Sequence, residues 1–402
     1  MSNNGCNCGT SAKDRMTSAR PINIVSDYPR LNFSDLYSNI IKDGLFRGFY
    51  GKDASLFYLG RGALFHAIKL LHLADSNNIL VPSYHCGVDI EAIIMAGAAI
   101  RYYKINKSMD LDIADLLRNV DTNTKAVVIT HYFGFPQSID NIKNICQEKK
   151  LFLIEDCAHA LLSVFQGKAL GSFGDISIFS QRKSLPIPDG GALLINNSDL
   201  IISSKLLLPS QFTAFKNTIG MLYNSLVNAS NIKGVQAFLK FIKYKINMLI
   251  RKEFGARYST GMEIDSEICN LAMSNISKNI MNRSNIDTIT ENRRNNFNYL
   301  LERIPNSNHI IGIYTMLPEG VCPLFFPVRT GDTTRREVQN IFRRYGVQTY
   351  VFGENLHRSL PGKEYPDSVM LSNQILGLPV HQNLKTKELE QILDAINSIC
   401  FK

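Results

Sequence analysis

The apolar positions between about residues 54 and 196 alternate between helical spacing and short continuous runs. Helical spacing occurs at 63–73, 88–95, 112–118 and 138–149. Continuous apolar runs, which predict buried strands, occur at 79–82, 98–103, 126–130, 151–155, 176–180 and 191–196. This alternation predicts an α/β fold in which helices cover both faces of a mostly parallel sheet.

The pattern from residue 259 onwards predicts a smaller C-terminal α/β domain. It comprises a long helical region, a strand at 322–328, a helix at 335–345, a strand at 347–352 and a final helix from Lys385. Before it we expect a large domain at 23–258 and a flexible tail at 1–22, which is too polar to bury much apolar surface. The large domain would bind the ligand, because ligands of such folds lie beyond the carboxyl ends of the strands.

The last part of the large domain, about 205–258, is a basic helical segment. At 230–252 the apolar residues recur at helical spacing, and lysines and arginines lie between them. Three interpretations are open. The segment could pack on the body of the protein, which we favour, form part of a dimer interface, or lie on a membrane surface.

The composition is that of a folded, enzyme-sized chain. Of the 402 residues, 45% are hydrophobic and 20% are charged. The net charge of +9 favours anionic ligands such as phosphates, and no known nucleic-acid-binding motif indicates a nucleic-acid partner.

The eight cysteines include no CxxC pair, so we expect reduced thiols and no metal site. Without an apolar leader or an apolar stretch of spanning length, we expect a cytoplasmic protein.

The segment 154–191 brings a carboxylate, a hydroxyl and an amine to one edge of the predicted sheet. Asp156 ends one buried strand, Ser180 ends another, and Lys183 follows in a loop bounded by Pro and Gly. Pyridoxal phosphate requires such a set: an amine to bond with its aldehyde, an acid to keep its pyridine nitrogen protonated, and donors for its phosphate. Taken singly, the same residues would be a turn carboxylate, a strand-end serine and a solvated lysine.

The same segment resembles the sugar aminotransferases of the DegT/StrS type, which are pyridoxal-phosphate enzymes of fold type I. Their motif runs ED-x-A-H/Q-A, then G-K/R-x-x-G-S-x-G-D-x-x-x-F-S, then a Lys, and then a GG pair. The matching residues are Glu155, Asp156, Ala158, His159, Gly167, Lys168, Gly171, Ser172, Gly174, Asp175, Phe179, Ser180, Lys183, Gly190 and Gly191. The loop between Ser180 and Lys183 is two residues shorter than the family's commoner form.

This resemblance implies the cofactor pyridoxal 5'-phosphate and gives four residues a role. Lys183 would form the covalent bond to the cofactor, and Asp156 would pair with its pyridine nitrogen. His159 would contact the ring, and Ser180 would bind the phosphate. The implied fold is a large domain with a mostly parallel sheet, followed by a smaller C-terminal α/β domain.

The segment LGRGALFHAIKLL, residues 59–71, is similar to the S-G-T-x-A-L helix start of the family. Glycines before a helix expose backbone N–H groups, which together with the helix dipole bind phosphate. The resemblance therefore implies that Gly60, Arg61 and Gly62 form a phosphate-binding turn, with Arg61 at a position where Thr is commoner.

The segment VPSYHCGVDIEAI, residues 81–93, resembles the turn that places a side chain over the cofactor ring. This match implies cofactor contacts for Tyr84 and Cys86, and Cys86 stands where an aromatic residue is usual. The adjacent His85 is more readily explained as a structural histidine.

The segment NLAMS, residues 270–274, resembles the N-Y-R-M-S segment of the family, whose Asn reaches the cofactor phosphate of a neighbouring subunit. Asn270 matches this Asn, whereas Ala272 replaces the Arg. The resemblance thus implies a homodimer with active sites at the subunit interface.

The implied reaction moves an amino group from an amino acid, usually glutamate, to a keto group of a nucleotide-linked sugar, for an amino sugar or polysaccharide. Three alternatives remain open. Related sugar dehydratases share the fold but carry a His where Lys183 stands, which argues against that class. The chain could also be a transaminase for another keto substrate, or a non-catalytic binding or regulatory protein.

Overall fold

The structure of the protein is a computed structural model that describes residues 24–37, 44–202, 205–229, 266–305 and 307–400. The expected tail at 1–22, the segment 230–252 and the expected domain boundary at 258 lie outside the described residues. No helix in the described part of the chain is long and apolar enough to cross a membrane.

A seven-stranded sheet dominates the first half of the chain. Numbered together with a small hairpin (β6 and β7), the strands here are β1 (Ser55–Phe57), β2 (Asn78–Pro82), β3 (Ala99–Tyr103), β4 (Thr124–Thr130), β5 (Phe152–Asp156), β6 (Val164–Phe165), β7 (Lys168–Ala169), β8 (Ile176–Phe179) and β9 (Gly191–Ile195). The sheet order is β1-β9-β8-β5-β4-β2-β3. Strands β2, β3, β4, β5 and β8 are parallel, and β9 is antiparallel to both neighbours. All six predicted strands of this half are present, and the predicted α/β class is confirmed.

Helices cover both faces of this sheet. They are α1 (Gly44–Tyr50), α2 (Gly60–Lys69), α3 (Gly87–Met95), α4 (Ile113–Asn119), α5 (Ile139–Lys149), α6 (Gln181–Ser184) and α7 (Gln211–Ala229). Because successive strand residues face opposite sides, Leu153 belongs to the apolar cluster that includes α5, whereas Ile154 belongs to the cluster that includes α2 and α3. The central strands are therefore buried on both faces, as their continuous apolar runs predict.

The C-terminal part contains an antiparallel sheet in the order β10-β11-β12, formed by β10 (Ile310–Gly312), β11 (Phe325–Thr330) and β12 (Ile375–Pro379). The helices from residue 266 onwards are α8 (Ser266–Cys269), α9 (Asn275–Met281), α10 (Ile286–Leu301), α11 (Arg335–Arg344), α12 (Pro366–Gln374) and α13 (Thr386–Cys400). Helix α11 begins where predicted, because the hydroxyl of Thr334 accepts the backbone N–H of Glu337 in a capping box.

The prediction of a strand at 347–352 is wrong. This segment forms only isolated bridges, between Val347 and Val25 and between Tyr350 and Gly377. Its two partners belong to different parts of the chain, so no continuous ladder forms beside it. The apolar side chains of the segment instead pack into the core cluster that includes residues of β11 and β12.

The strand expected at 322–328 begins later, at Phe325. The residues before it use their backbone donors elsewhere: the N–H of Cys322 donates to Oγ of Ser163 at 3.0 Å. The chain is buried there, but it is bonded to a loop rather than to a strand.

One buried carboxylate fixes the loop that precedes β8. The oxygens of Glu155 accept the backbone N–H groups of Gly171 at 2.9 Å, Phe173 at 2.8 Å and Gly174 at 2.6 Å. Nε2 of His131 lies 3.1 Å from the same carboxylate. Burial opposes the charged form, but the bond and charge of His131 and the backbone donors outweigh it and lower the pKa of Glu155. The loop is thus held without regular secondary structure.

We expect Glu155→Gln to lower the free energy of unfolding by about 2–4 kcal/mol. The new amide nitrogen is a donor that faces other donors, so at least one buried N–H group loses its acceptor. Urea unfolding followed by circular dichroism measures the change. Glu302→Gln, which alters an exposed ion pair with Arg303, is the matched control and should leave the midpoint unchanged. Equal stability of the two variants would contradict this role of Glu155.

Candidate active site

Several strands end at one edge of the sheet, and the chain places polar side chains there. The residues at or just beyond these ends are Tyr84 and His85 after β2, Thr130 at the end of β4, Asp156 at the end of β5, and Ser180 and Lys183 after β8. Parallel strands present their carboxyl ends together, so these residues share one edge. The expected carboxylate, hydroxyl and amine therefore lie at the same side of the sheet.

The Asp156 carboxylate is buried and held by three donors. Oδ1 accepts the backbone N–H of Ala158 at 2.9 Å. Oδ2 lies 3.1 Å from Nε2 of His85 and accepts the hydroxyl of Thr130 at 3.4 Å. Burial opposes ionisation, but the bond and charge of His85, the N–H of Ala158 and the charge of Lys183 outweigh it and lower the pKa of Asp156 to about 2. Asp156 is therefore ionised at neutral pH, as the partner of a protonated ring nitrogen must be.

His159 is a buried, neutral imidazole. The backbone N–H of Phe133 donates to Nδ1 at 3.3 Å, so the ring proton is on Nε2, which lies 3.4 Å from the hydroxyl of Tyr350. Burial, and then the charge of Lys183, lower the pKa of His159 well below its usual value. The ring meets that of Phe352 edge to face, with centroids 4.7 Å apart. A neutral ring in this position can donate a hydrogen bond without adding charge to the site.

The ammonium group of Lys183 has no hydrogen-bond or ion-pair partner among the described residues. Its Nζ lies 6.0 Å from the centre of the Phe352 ring. Its charge acts on both Asp156 and His159. Because no hydrogen bond or ion pair within the described residues holds Nζ, the side chain is not committed to another group and could bond with a carbonyl group.

The start of helix α2 approaches Ser180 closely. A Cβ atom on Gly60 would lie 3.2 Å from Cβ of Ser180, and one on Gly62 would lie 3.0 Å from the carbonyl oxygen of Cys269. The residue before the helix is Leu59, whose apolar side chain makes no cap bond, and the N–H groups of Gly62 and Ala63 donate to the backbone carbonyl of Leu59. A helix start that has glycines, has no side-chain cap and lies beside a hydroxyl is typical of a phosphate-binding turn.

A buried amide next to this turn also lacks a partner. Gln181 is fully buried, and neither its side-chain oxygen nor its nitrogen is bonded within the described residues. Buried polar groups are normally satisfied, so the Gln181 amide can bond a group that the described residues do not supply. The residues therefore fit pyridoxal phosphate: α2 and Ser180 suit its phosphate, Asp156 its ring nitrogen, and Lys183 its aldehyde.

Tyr84 and Cys86, the two residues predicted from the turn after β2, lie on either side of His85. Tyr84 is completely buried, and its hydroxyl donates to the carbonyl of Phe352 at 2.9 Å. Cys86 precedes helix α3, and burial raises the pKa of its thiol to about 11. Tyr84 therefore supports the wall of the site, and Cys86 is a neutral thiol.

Arg61 and Asn270 lie around helix α2. Arg61 is half-buried in the first turn of the helix. Oδ1 of Asn270 lies 3.1 Å from Nε2 of His66, and its amide nitrogen donates to the carbonyl of Ser266 at 3.1 Å. Within this chain, Asn270 is thus bonded to helix α2 and to Ser266, the first residue of helix α8.

Sequence reasoning missed two residues of this site, His85 and Phe352. The sequence favours a structural role for His85, although this residue lies between two residues with an implied cofactor role. The Phe352 ring contacts those of Tyr84, His85 and His159, and it comes from the C-terminal part of the chain. A usable signal is the pair of aromatic residues at 350 and 352, just before a glycine.

The chain is similar in sequence to a known protein family and to several curated proteins. The family model described as the DegT/DnrJ/EryC1/StrS aminotransferase family matches residues 57–397. GDP-perosamine synthase of Vibrio cholerae is 33% identical over 162 residues, which cover 40% of this chain and 44% of that protein. The dTDP-4-dehydro-2,3,6-trideoxy-D-glucose 4-aminotransferase of Saccharopolyspora spinosa is 33% identical over 144 residues, covering 35% and 37% respectively. The chain thus matches less than half of the length of these curated relatives.

A solved structure matches over a greater length. Helicobacter pylori PseC, described as an aminotransferase involved in the biosynthesis of pseudoaminic acid, has a TM-score of 0.67 with this chain, covering 94% of it and 99% of PseC. At 16% sequence identity this likeness shows the fold alone, which is that of the fold type I aminotransferases. Because the family model spans both the strand-end motif and the C-terminal part that completes the site, the chain belongs to the DegT/DnrJ/EryC1/StrS aminotransferase family.

Proposed function

We propose that this protein is a pyridoxal-phosphate-dependent aminotransferase that moves an amino group from an amino acid, with glutamate as the expected donor, to a keto group of a nucleotide-linked sugar. The observation that carries the proposal is the unbonded amine of Lys183 beside the ionised, buried Asp156, at the sheet edge where the family motif lies. The relatives named above act on nucleotide-linked sugars according to their names, which supports this acceptor class.

Two side chains would perform the proton chemistry. When bound, pyridoxal phosphate supplies an aldehyde that bonds amines and a ring that withdraws electrons from the reacting carbon. Lys183 acts as general base and acid, because no partner in the described chain holds its Nζ and the amine can take and return a proton. Asp156 keeps a proton on the ring nitrogen, since its own pKa of about 2 leaves it ionised.

The surrounding side chains would keep water out and orient the reactants. The rings of Tyr84, Tyr132, Phe133 and Phe352 form one buried aromatic cluster behind the charged residues. Charge interactions are stronger in such a poorly solvated site than in water. His159 carries its proton on Nε2, which faces the hydroxyl of Tyr350, so its ring is fixed at this edge of the site.

We also propose that the protein works as a homodimer in the cytoplasm, with its large domain at 23–258 and its small domain at 259–402. Helix α7 leaves the large apolar side chains Phe212, Phe215 and Ile219 exposed, and such a surface suits a second copy of the chain. The similarity of the Asn270 segment to one that crosses between subunits supports the same assembly. The described cysteines are all unbridged, which is typical of a reducing compartment.

The proposed covalent bond between Lys183 and the cofactor can be tested by substitution. The wild-type protein should turn yellow with pyridoxal phosphate and lose that colour when glutamate is added. Lys183→Arg should do neither, because arginine keeps the charge but cannot form the bond. Borohydride reduction followed by peptide mapping should place the trapped cofactor on the peptide that contains Lys183.

The matched control is Lys168→Arg, which alters an exposed lysine of the same motif and should behave as wild type. A wild-type protein that binds no cofactor would overturn the aminotransferase proposal, as would cofactor trapped on another lysine. Either result would leave a non-catalytic binding protein as the better interpretation.

The proposed contact between Asp156 and the ring nitrogen of the cofactor can also be tested by substitution. Asp156→Asn should still trap the cofactor on Lys183 but should lower kcat by roughly 100-fold or more, because a neutral amide does not keep the nitrogen protonated. The assay follows loss of glutamate with a panel of nucleotide-linked keto sugars. A kcat close to that of wild type would rule out the role given to Asp156, and turnover only with other keto compounds would rule out the sugar acceptor.

A further inference from the structure

His85 contacts the carboxylate on which the proposed chemistry depends. Its side chain is 1% exposed, and Nε2 lies 3.1 Å from Oδ2 of Asp156. Nδ1 lies 3.3 Å from the backbone carbonyl oxygen of Cys86. Both neighbours are acceptors, so both ring nitrogens must donate. Only the doubly protonated imidazolium can donate from both positions.

The groups that face His85 favour this charged form. Burial opposes it, but the bond to Asp156, the charges of Asp156 and Asp89 and the bond to Cys86 outweigh burial and raise the pKa of His85. Burial and the charge of Lys183 keep the pKa of His159 low, so this histidine is neutral. The charge of Lys183 also acts on Asp156, so two cations, Lys183 and the imidazolium of His85, stabilise this carboxylate.

The hydrogen bonds of Asp156 leave room for one more donor. An ionised carboxylate offers about four lone-pair positions, two on each oxygen. Ala158 occupies one on Oδ1, and His85 and Thr130 occupy both on Oδ2. The position that remains is on Oδ1. Without His85, the weaker contact of Thr130 alone would fix Oδ2, and the carboxylate could turn.

We propose that His85 is a positioning residue: as an imidazolium it holds the Asp156 carboxylate so that the free lone pair on Oδ1 receives the ring nitrogen of the cofactor. This inference rests on the function proposed above and adds a residue that the family motif does not contain. It assigns His85 two separable contributions, a hydrogen-bond donor and a positive charge.

Two substitutions separate these contributions. His85→Phe removes donor and charge but keeps a ring, whereas His85→Gln keeps a donor at the Nε2 position without the charge. The matched controls are His357→Phe and His357→Gln, because His357 also bonds a carboxylate, Glu91 at 2.8 Å, on the neighbouring helix. Thermal unfolding of each cofactor-free variant shows whether it folds.

The readouts are the dissociation constant of pyridoxal phosphate, from titration of its visible absorbance, and the pH midpoint of that absorbance in the bound form. His85→Phe should raise the dissociation constant about tenfold or more, since a hydrogen bond to a charged group is lost. His85→Gln should stay within about threefold of wild type. Both substitutions should move the pH midpoint of the absorbance to higher pH. Removing a nearby cation favours the protonated form of the nitrogen that joins Lys183 to the cofactor. The His357 variants should match wild type in both readouts.

The outcomes distinguish this inference from the proposed function. If wild type is yellow but His85→Phe keeps the wild-type dissociation constant, the positioning role is overturned and the aminotransferase proposal stands. An unchanged pH midpoint in both His85 variants would overturn the claim that His85 is a charged imidazolium. If wild type binds no cofactor, the proposed function fails and this inference fails with it.

Discussion

Two consecutive buried carboxylates at the end of β5 determine how the functional edge of the sheet is built. Because neighbouring strand residues face opposite sides, Glu155 turns to the loop before β8, and Asp156 turns to the segment before α3. A buried charge is tolerated only when donors surround it. Glu155 gathers three backbone N–H groups and His131, and Asp156 gathers an N–H, a hydroxyl and His85. The loops of the site are thus ordered around these two charges rather than by strand pairing.

The site also depends on contacts between distant parts of the chain. Phe352 and Tyr350 come from the C-terminal part, yet their side chains lie against His159, nearly 200 residues earlier in the chain. These contacts close the aromatic wall beside Lys183. The C-terminal part therefore completes the wall of the site at the edge of the large sheet, and the family model spans both parts.

Sequence patterns were sufficient for the features that local rules control. The apolar runs of β2, β4, β5 and β8 gave the positions of the strand ends, and the motif spacing placed Asp156, Ser180 and Lys183 at one edge. Contacts over long distances could not be read in this way: His85 meets Asp156 across 71 residues, and no spacing indicates it. The segment 347–352 has the composition of a strand, but it lacks a continuous partner and instead supplies the aromatic wall.

The central claim is that Lys183 and Asp156 hold one cofactor between them at the carboxyl edge of the sheet. A crystal structure of the protein with pyridoxal phosphate tests it most directly. We expect continuous density from Nζ of Lys183 to the cofactor, its ring nitrogen on Oδ1 of Asp156, and its phosphate at the start of α2 beside Ser180. Cofactor at another lysine, or a ring nitrogen that does not contact Asp156, would contradict the account.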